Sequence, residues 1–175
     1  MKIVAVTLLL FILTSCSSHD LKDYANETPK LNLRDFFSGK IQALGIVQNR
    51  SGKVIKRFEA DISASWVGNV GTLDEKFQYS DNTKSTRVWK LTETSPNKYV
   101  ATAHDVFDQA KGEVAGNAFF LDYYLDLPVG DSSYKIHFKD WMYLVDNKTI
   151  LARTYMTKWG FNVGEITLVM TKKDL

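Results

Sequence analysis

The chain has 175 residues, 45% of them hydrophobic and 13% aromatic, enough for one sizeable core and short of what two domains need. Its net charge is +2, and +1 once Lys2 is set apart with the leading apolar segment, so no overall field selects nucleic acid or an anionic surface. A single cysteine, Cys16, excludes an internal disulfide and a thiolate metal centre, and His19, His104 and His137 are scattered.

The chain opens with Lys2 and an apolar run from Ile3 to Leu13 broken only by Thr7, the pattern of a secretory signal and too short to span a bilayer. Leu13-Thr14-Ser15-Cys16 follows and resembles the lipobox of bacterial lipoproteins, with small residues before the cysteine that receives the lipid. Residues 1–15 are therefore expected to form a lipoprotein signal peptide and Cys16 to carry the acyl anchor; the competing reading is an ordinary signal peptide that leaves Cys16 as a free thiol. Two or three acyl chains, at about 0.8 kcal/mol per buried CH₂, hold a protein firmly where one does not. Ser17 after the cysteine, where Asp would mark inner-membrane retention in enteric bacteria, favours the outer membrane, facing the periplasm.

Residues 16–30 are polar and without hydrophobic periodicity, the composition of a flexible tether spanning about 20 Å as a coil. Leu33, Phe36 and Phe37 then fall at i, i+3 and i+4 and predict a short helical turn within 31–37 that plugs the fold.

From Lys40 the period changes to two, and turn signals such as Arg50-Ser51-Gly52-Lys53, Ser80-Asp81-Asn82 and Pro128-Val129-Gly130-Asp131 recur at the spacing of antiparallel strands. The run Ile55 to Val67 is the clearest, with Phe58, Ala60, Ile62, Ala64 and Trp66 on one face and Arg57, Glu59, Asp61, Ser63 and Ser65 on the other. Similar alternation over Leu73–Tyr79, Arg87–Leu91, Phe119–Leu127, Tyr134–Leu144 and Ile166–Met170 predicts an all-β fold. The expected architecture is a single domain over 31–175, an antiparallel up-and-down, lipocalin-like barrel of about 8–10 strands. A two-sheet sandwich is the alternative; the charged outer faces disfavour a transmembrane barrel.

The informative anomaly is charge on faces that read as inward. Glu75 alternates with Leu73 and Phe77, Arg87 with Trp89 and Leu91, and Asp140 with Phe138 and Met142. Asp105, in step with Ala101 and Ala103, and Arg153, in step with Leu151 and Tyr155, are expected to join them. Buried ions cost several kcal/mol each unless paired, so these five predict an interior polar cluster. Such a cluster admits three readings: a cross-strand ion-pair network, a polar floor that orients a ligand headgroup, or a carboxylate acid or base. His104 and His137 fall on the opposite faces and are expected outside. The chain has no G-x-S-x-G elbow, P-loop, H-E-x-x-H or paired-cysteine motif, so no catalytic residue, metal or cofactor is expected. Without a basic stripe, Phe119, Phe120, Tyr123 and Tyr124 read as core and surface of one strand rather than as a nucleic-acid platform.

Leu33-Arg34-Asp35-Phe36-Phe37, Arg50-Ser51-Gly52-Lys53, Gly71-Thr72-Leu73-Asp74-Glu75, Arg87-Val88-Trp89, Gly116-Asn117-Ala118 and Asp140-Trp141-Met142-Tyr143-Leu144 together resemble a family of Gram-negative lipoproteins built on a domain of unknown function. The resemblance implies a lipid-anchored envelope protein with a lipocalin-like barrel and no assigned activity. True lipocalins carry a G-x-W near the first strand, which this chain lacks, so the likeness to them is one of architecture. The expected role is non-enzymatic binding of a small amphiphilic or lipid-like ligand in the barrel. Alternatives are a structural or assembly lipoprotein working through protein contacts, for which nothing identifies the partner, and an enzyme using the interior carboxylates.

Overall fold

The computed structural model describes residues 20–173. The expected signal peptide over 1–15 and the expected acyl anchor at Cys16 lie outside the described residues.

Ten strands run in chain order: β1 (Gly39–Asn49), β2 (Val54–Val67), β3 (Val70–Tyr79), β4 (Lys84–Ser95), β5 (Lys98–Thr102), β6 (Val106–Ala115), β7 (Ala118–Val129), β8 (Ser132–Leu144), β9 (Thr149–Lys158) and β10 (Phe161–Lys172). Each pairs antiparallel with its chain neighbours, and β10 closes on β1 from Ile41↔Lys172 to Asn49↔Gly164. The expected up-and-down barrel is what forms. Closure leaves no edge strand, so each strand has a hydrogen-bonded neighbour on both sides. The turns are tight; Trp159 and Gly160 both take positive φ, at 52° and 84°, which suits the right-handed twist of the β9–β10 hairpin.

The period-two pattern sends one face of every strand inside. On β2, Ala60, Ile62 and Ala64 are buried while Glu59, Asp61 and Ser65 are exposed. On β7, Phe119, Leu121, Tyr123 and Leu125 point into the core and Tyr124 and Asp126 face water.

One end of the barrel is stoppered by α1 (Leu33–Phe36). Four residues cannot hold a helix by themselves, so this one depends on its cap and its seat. The Asn32 side chain accepts from the Arg34 and Asp35 amides at 2.9 and 3.2 Å, and Leu31, Leu33, Phe36 and Phe37 are buried against the barrel. The Trp66 indole donates to the Phe37 carbonyl at 2.9 Å, and Arg34 donates to the Gly68 carbonyl at 2.8 Å, which tie the plug to the β2–β3 turn.

Residues 20–30 depart from the predicted tether: they are docked. Leu21–Tyr24 form a 3₁₀ turn capped by Asp20, and the Tyr24 ring packs against Tyr143 and Trp141 at centroid distances of 5.2 and 6.1 Å. The Leu31 amide donates to the Gly116 carbonyl at 2.8 Å. Gly116 takes a φ of 55°, and a Cβ there would fall 1.7 Å from the Tyr24 carbonyl oxygen, so only glycine fits beneath the strap. This strap covers an outer aromatic cluster formed by Phe120, Trp141 and Tyr143, which explains how Trp141 is buried while facing outward.

Removing the plug's ring in Phe36→Ala should cost about 3–5 kcal/mol of unfolding free energy. Val67→Ala, at a position 82% exposed, should stay within about 0.5 kcal/mol. Denaturant titration checks both, and equal small effects would show that the helical turn is not a structural stopper.

Candidate functional site

The opposite end is framed by the β1–β2, β3–β4, β5–β6, β7–β8 and β9–β10 connections and forms the mouth. A cavity of about 150 Å³ runs from the inner side of the plug at Phe37 towards the mouth at Phe58 and Phe77. The Phe58 ring reaches inward across β1 because residue 45 is glycine; a Cβ there would meet the ring at 2.3 Å. The rings of Phe58, Phe77 and Tyr79 pack together at 5.8–6.2 Å and narrow the opening.

Four of the five predicted interior charges meet inside. Glu75 on β3 and Arg87 on β4 are cross-strand partners in the ladder, and both line the cavity with Asp140 of β8. Asp105 lies in the β5–β6 connection, not on a strand, and turns back over the mouth to receive Arg87 Nε at 3.0 and 3.1 Å and Nη2 at 2.7 Å. That two-pronged pair, half-buried on both sides, fixes the guanidinium at the mouth side of the cavity, where its charge also attracts Glu75. The guanidinium also lies 5.7 Å from the Trp89 ring centre.

Arg153 is the exception. It stands on the outer wall, 53% exposed, with Nε donating to Glu165 of β10 at 3.0 Å. The inward face of β9 is Ile150, Ala152, Thr154 and Met156, while Leu151 is half exposed. Both faces of β9 carry apolar residues, so alternation read from hydrophobicity chooses the wrong one. His104 is exposed, and His137 sits on the outer face, stacked on Tyr124 and 2.7 Å from Asp122. No three metal-ligating side chains converge among the described residues.

Two polar members were not singled out from sequence, Tyr123 and Thr154. Tyr123 donates its hydroxyl to Asp140 Oδ2 at 2.9 Å and sets its ring edge-on to Trp89 at 5.3 Å, bridging β7 to β4. Its place on the inward face of β7 was legible; that its hydroxyl would find an acid was not. Thr154 is the ladder partner of Asp140 and its side chain favours the ionised carboxylate. Even so, Asp140 Oδ1 is buried and accepts no hydrogen bond.

The electrostatics follow from burial. Glu75 is enclosed by protein and its remaining open surface faces the cavity. Burial pushes its carboxyl up to about 7, against the pull of Arg87 and with added repulsion from Asp140 and Asp105. Asp140 is pushed up to about 6 by burial despite help from Thr154, Tyr123 and Arg87. Burial, then the Asp140 charge, holds the Tyr123 phenol well above its usual range. Burial works against the charge on Arg87, but the hydrogen bonds to Asp105 and the attraction of Tyr123, Asp105 and Glu75 together outweigh it and keep the guanidinium protonated.

The sequence of residues 10–172 matches the family described as protein of unknown function (DUF3833). No curated protein matches the chain. Among solved structures, the S-type phycobiliprotein lyase CPES from Guillardia theta is similar over 90% of this chain and 100% of its own, with a TM-score of 0.60 and 11% identity. A protein of unknown function of the DUF3598 family from Nostoc punctiforme is similar over 84% of this chain and 51% of its own, with a TM-score of 0.52 and 12% identity. At these identities the likeness is one of fold: a closed, lipocalin-like antiparallel barrel.

Glu75 and Asp140 bind protons more tightly in the folded than in the unfolded chain, so the stability they confer is present at and below the ordinary carboxylate range and is lost as pH rises through about 6 and 7. The exposed turn carboxylates Asp81 and Asp146, held low by Lys56 and by the Lys148 amide, act in the opposite sense at lower pH. Unfolding free energy should therefore fall by on the order of 1–3 kcal/mol between pH 5 and pH 8. The double variant Glu75→Gln, Asp140→Asn should flatten that slope, and an unchanged slope would show that these carboxyls titrate normally. Arg87→Met, which strands Asp105 beside two further acids, should lower stability at pH 8 by about 2–4 kcal/mol, where Arg57→Met on the outer wall costs little.

Proposed function

This chain belongs to the family of proteins of unknown function DUF3833, and on that premise we propose that it is an envelope lipoprotein that binds a small amphiphilic, lipid-like molecule in its barrel without chemical turnover. One observation carries the reading: a cavity inside the barrel with largely apolar walls holds a few convergent polar groups, the combination by which small-molecule sites fix a ligand's orientation. A protein assembled only for rigidity would fill that space with side chains, as small barrels do. The fold is shared with a phycobiliprotein lyase, and closed barrels of this kind commonly enclose ligands.

The volume limits what fits. About 150 Å³ lies below the 300–1,000 Å³ or so of typical ligand pockets and matches a cavity that takes up a single benzene. The barrel as it stands suits a short chain or one ring. A longer acyl chain requires Phe58, Phe77 and Tyr79 to swing out of the mouth.

The anchor reading fits the same geometry. Asp20 is four residue steps on from Cys16, a reach of at most about 14 Å, and the strap from Asp20 is docked beside the plugged end. A lipid on Cys16 in the outer membrane's inner leaflet would thus hold the plugged end towards that membrane and leave the mouth facing the periplasm. A second reading, a structural or assembly lipoprotein, draws support from the β9–β10 hairpin at the mouth, where Trp159 is 86% and Phe161 75% exposed.

Native mass spectrometry of the protein extracted from membranes should show a small apolar molecule retained at one per chain. An empty barrel that copurifies with an envelope protein would instead establish the assembly reading. Cys16→Ser should move the protein from the membrane pellet to the soluble or precursor fraction; a mature protein still in the pellet would overturn the anchor.

A further inference from the structure

The placement of Arg153 outside alters the charge balance within the barrel. Three carboxyls, Glu75, Asp105 and Asp140, share the interior with one guanidinium, and that guanidinium is committed to Asp105 through both Nε and Nη2. Glu75 on β3 and Asp140 on β8 face one cavity and make no ion pair of their own, sharing only the more distant pull of Arg87. The other titratable group that faces them is the Tyr123 hydroxyl of β7, whose one proton is already given to Asp140 Oδ2. Asp140 is only 8% exposed, and its Oδ1 accepts no hydrogen bond. A buried acceptor left unmade costs the full desolvation of the group, and two acids in a shared low-dielectric space repel each other besides. The cavity therefore holds more acid than base, and one buried acceptor in it is left open.

We propose that the barrel selects an apolar molecule whose polar end is a protonated amine, with the ammonium seated between Asp140 Oδ1 and the Glu75 carboxyl and the apolar part lying towards the plug. The proposal rests on the small-ligand reading above and assigns the headgroup class that reading leaves open. An ammonium offers three donors, enough for Asp140 Oδ1 and Glu75 with one to spare. A carboxylate or phosphate headgroup would enter a site of three acids against one engaged guanidinium. A hydroxyl could satisfy Oδ1 but not the charge. The apolar part would meet walls such as Ile62, Leu73, Leu121 and Met170.

The raised proton affinities of the two carboxyls give the site a pH dependence of its own. An alkylamine stays protonated from pH 5 to pH 8, as lysine does. Glu75 and Asp140 gain protons as pH falls through about 7 and 6, so only the protein changes charge over that range.

The test is calorimetric titration of the full-length protein in non-ionic detergent with hexylamine, hexanol and hexanoate, one chain length with three headgroups. At pH 8 hexylamine should bind at least about tenfold more tightly than the other two, the discrimination expected of hydrogen bonds to a charged partner. That preference should shrink towards pH 5 and fall about tenfold in Asp140→Asn and in Glu75→Gln, each judged only if thermal unfolding shows that the variant folds. Hexanol or hexanoate binding as tightly as hexylamine at pH 8 would overturn the amine assignment and leave the small-ligand reading standing. Failure of all three to bind would remove both. The wild-type series needs no variant, so the assignment stays falsifiable if both substitutions prevent folding.

Discussion

Closure of the sheet is the constraint on which the rest depends. Ten strands joined β10 to β1 abolish every edge, and the price is an interior that water does not freely enter. Because side chains alternate with period two, each strand commits half its residues to that space whatever their chemistry. An apolar residue there stabilises the fold; a charged one costs several kcal/mol until it is paired. The barrel thus converts a one-dimensional pattern into a charge balance, and the balance is visible in the proton affinities. Arg87 and Asp105 settle theirs with three close contacts, while Glu75 and Asp140 settle theirs by leaning towards the neutral form.

The two ends of the barrel are built differently. At the plugged end a four-residue helix, a strap and an outer aromatic cluster interlock: Trp66 reaches the plug, Tyr24 lies over Gly116, and Leu31 joins the two by its backbone. At the mouth, one loop carboxylate and three rings stand between the cavity and solvent. Rings turn on their side-chain torsions faster than a capped and hydrogen-bonded helix unseats. Entry of a ligand through the mouth therefore asks for side-chain motion, whereas entry past α1 would require breaking the capped turn and its bonds to the β2–β3 corner.

The legibility of the sequence followed the strength of its alternation. The β2 stretch separates apolar from charged residues so cleanly that both its faces could be assigned from the period alone, and Glu75, Arg87 and Asp140 were found by the same rule as misfits on apolar faces. The rule fails where both faces are apolar. In β9, Leu151 and Tyr155 outbid Ala152 and Thr154 in hydrophobicity, and Arg153 was carried inward with them. It also fails for residues off the strands: Asp105 reaches the interior from a turn, and its alternation with Ala101 and Ala103 was a coincidence of spacing. Residues 20–30 read as a tether because their few apolar groups are aperiodic, yet Tyr24 docks on a cluster assembled from β7 and β8, a long-range contact that no local pattern encodes. The unpartnered oxygen of Asp140 belongs to the same class, since it depends on what three other strands place around it.

An interior acid with one oxygen left bare is a cost a barrel could avoid. Replacing buried ion pairs by apolar residues of similar volume is often neutral or stabilising, and the sites flanking Asp140 on its inward face, Phe138 and Met142, show that apolar side chains are accommodated there. Tyr123 and Thr154 soften the cost without removing it, because both act on a carboxylate that keeps one oxygen bare. A carboxylate used only to fix strand register would be expected to close its hydrogen bonds, as Asp105 does with Arg87. Of the two acidic sites in this barrel, the one at the mouth is therefore complete as a structural element, and the one in the cavity becomes complete only when something else supplies the donor.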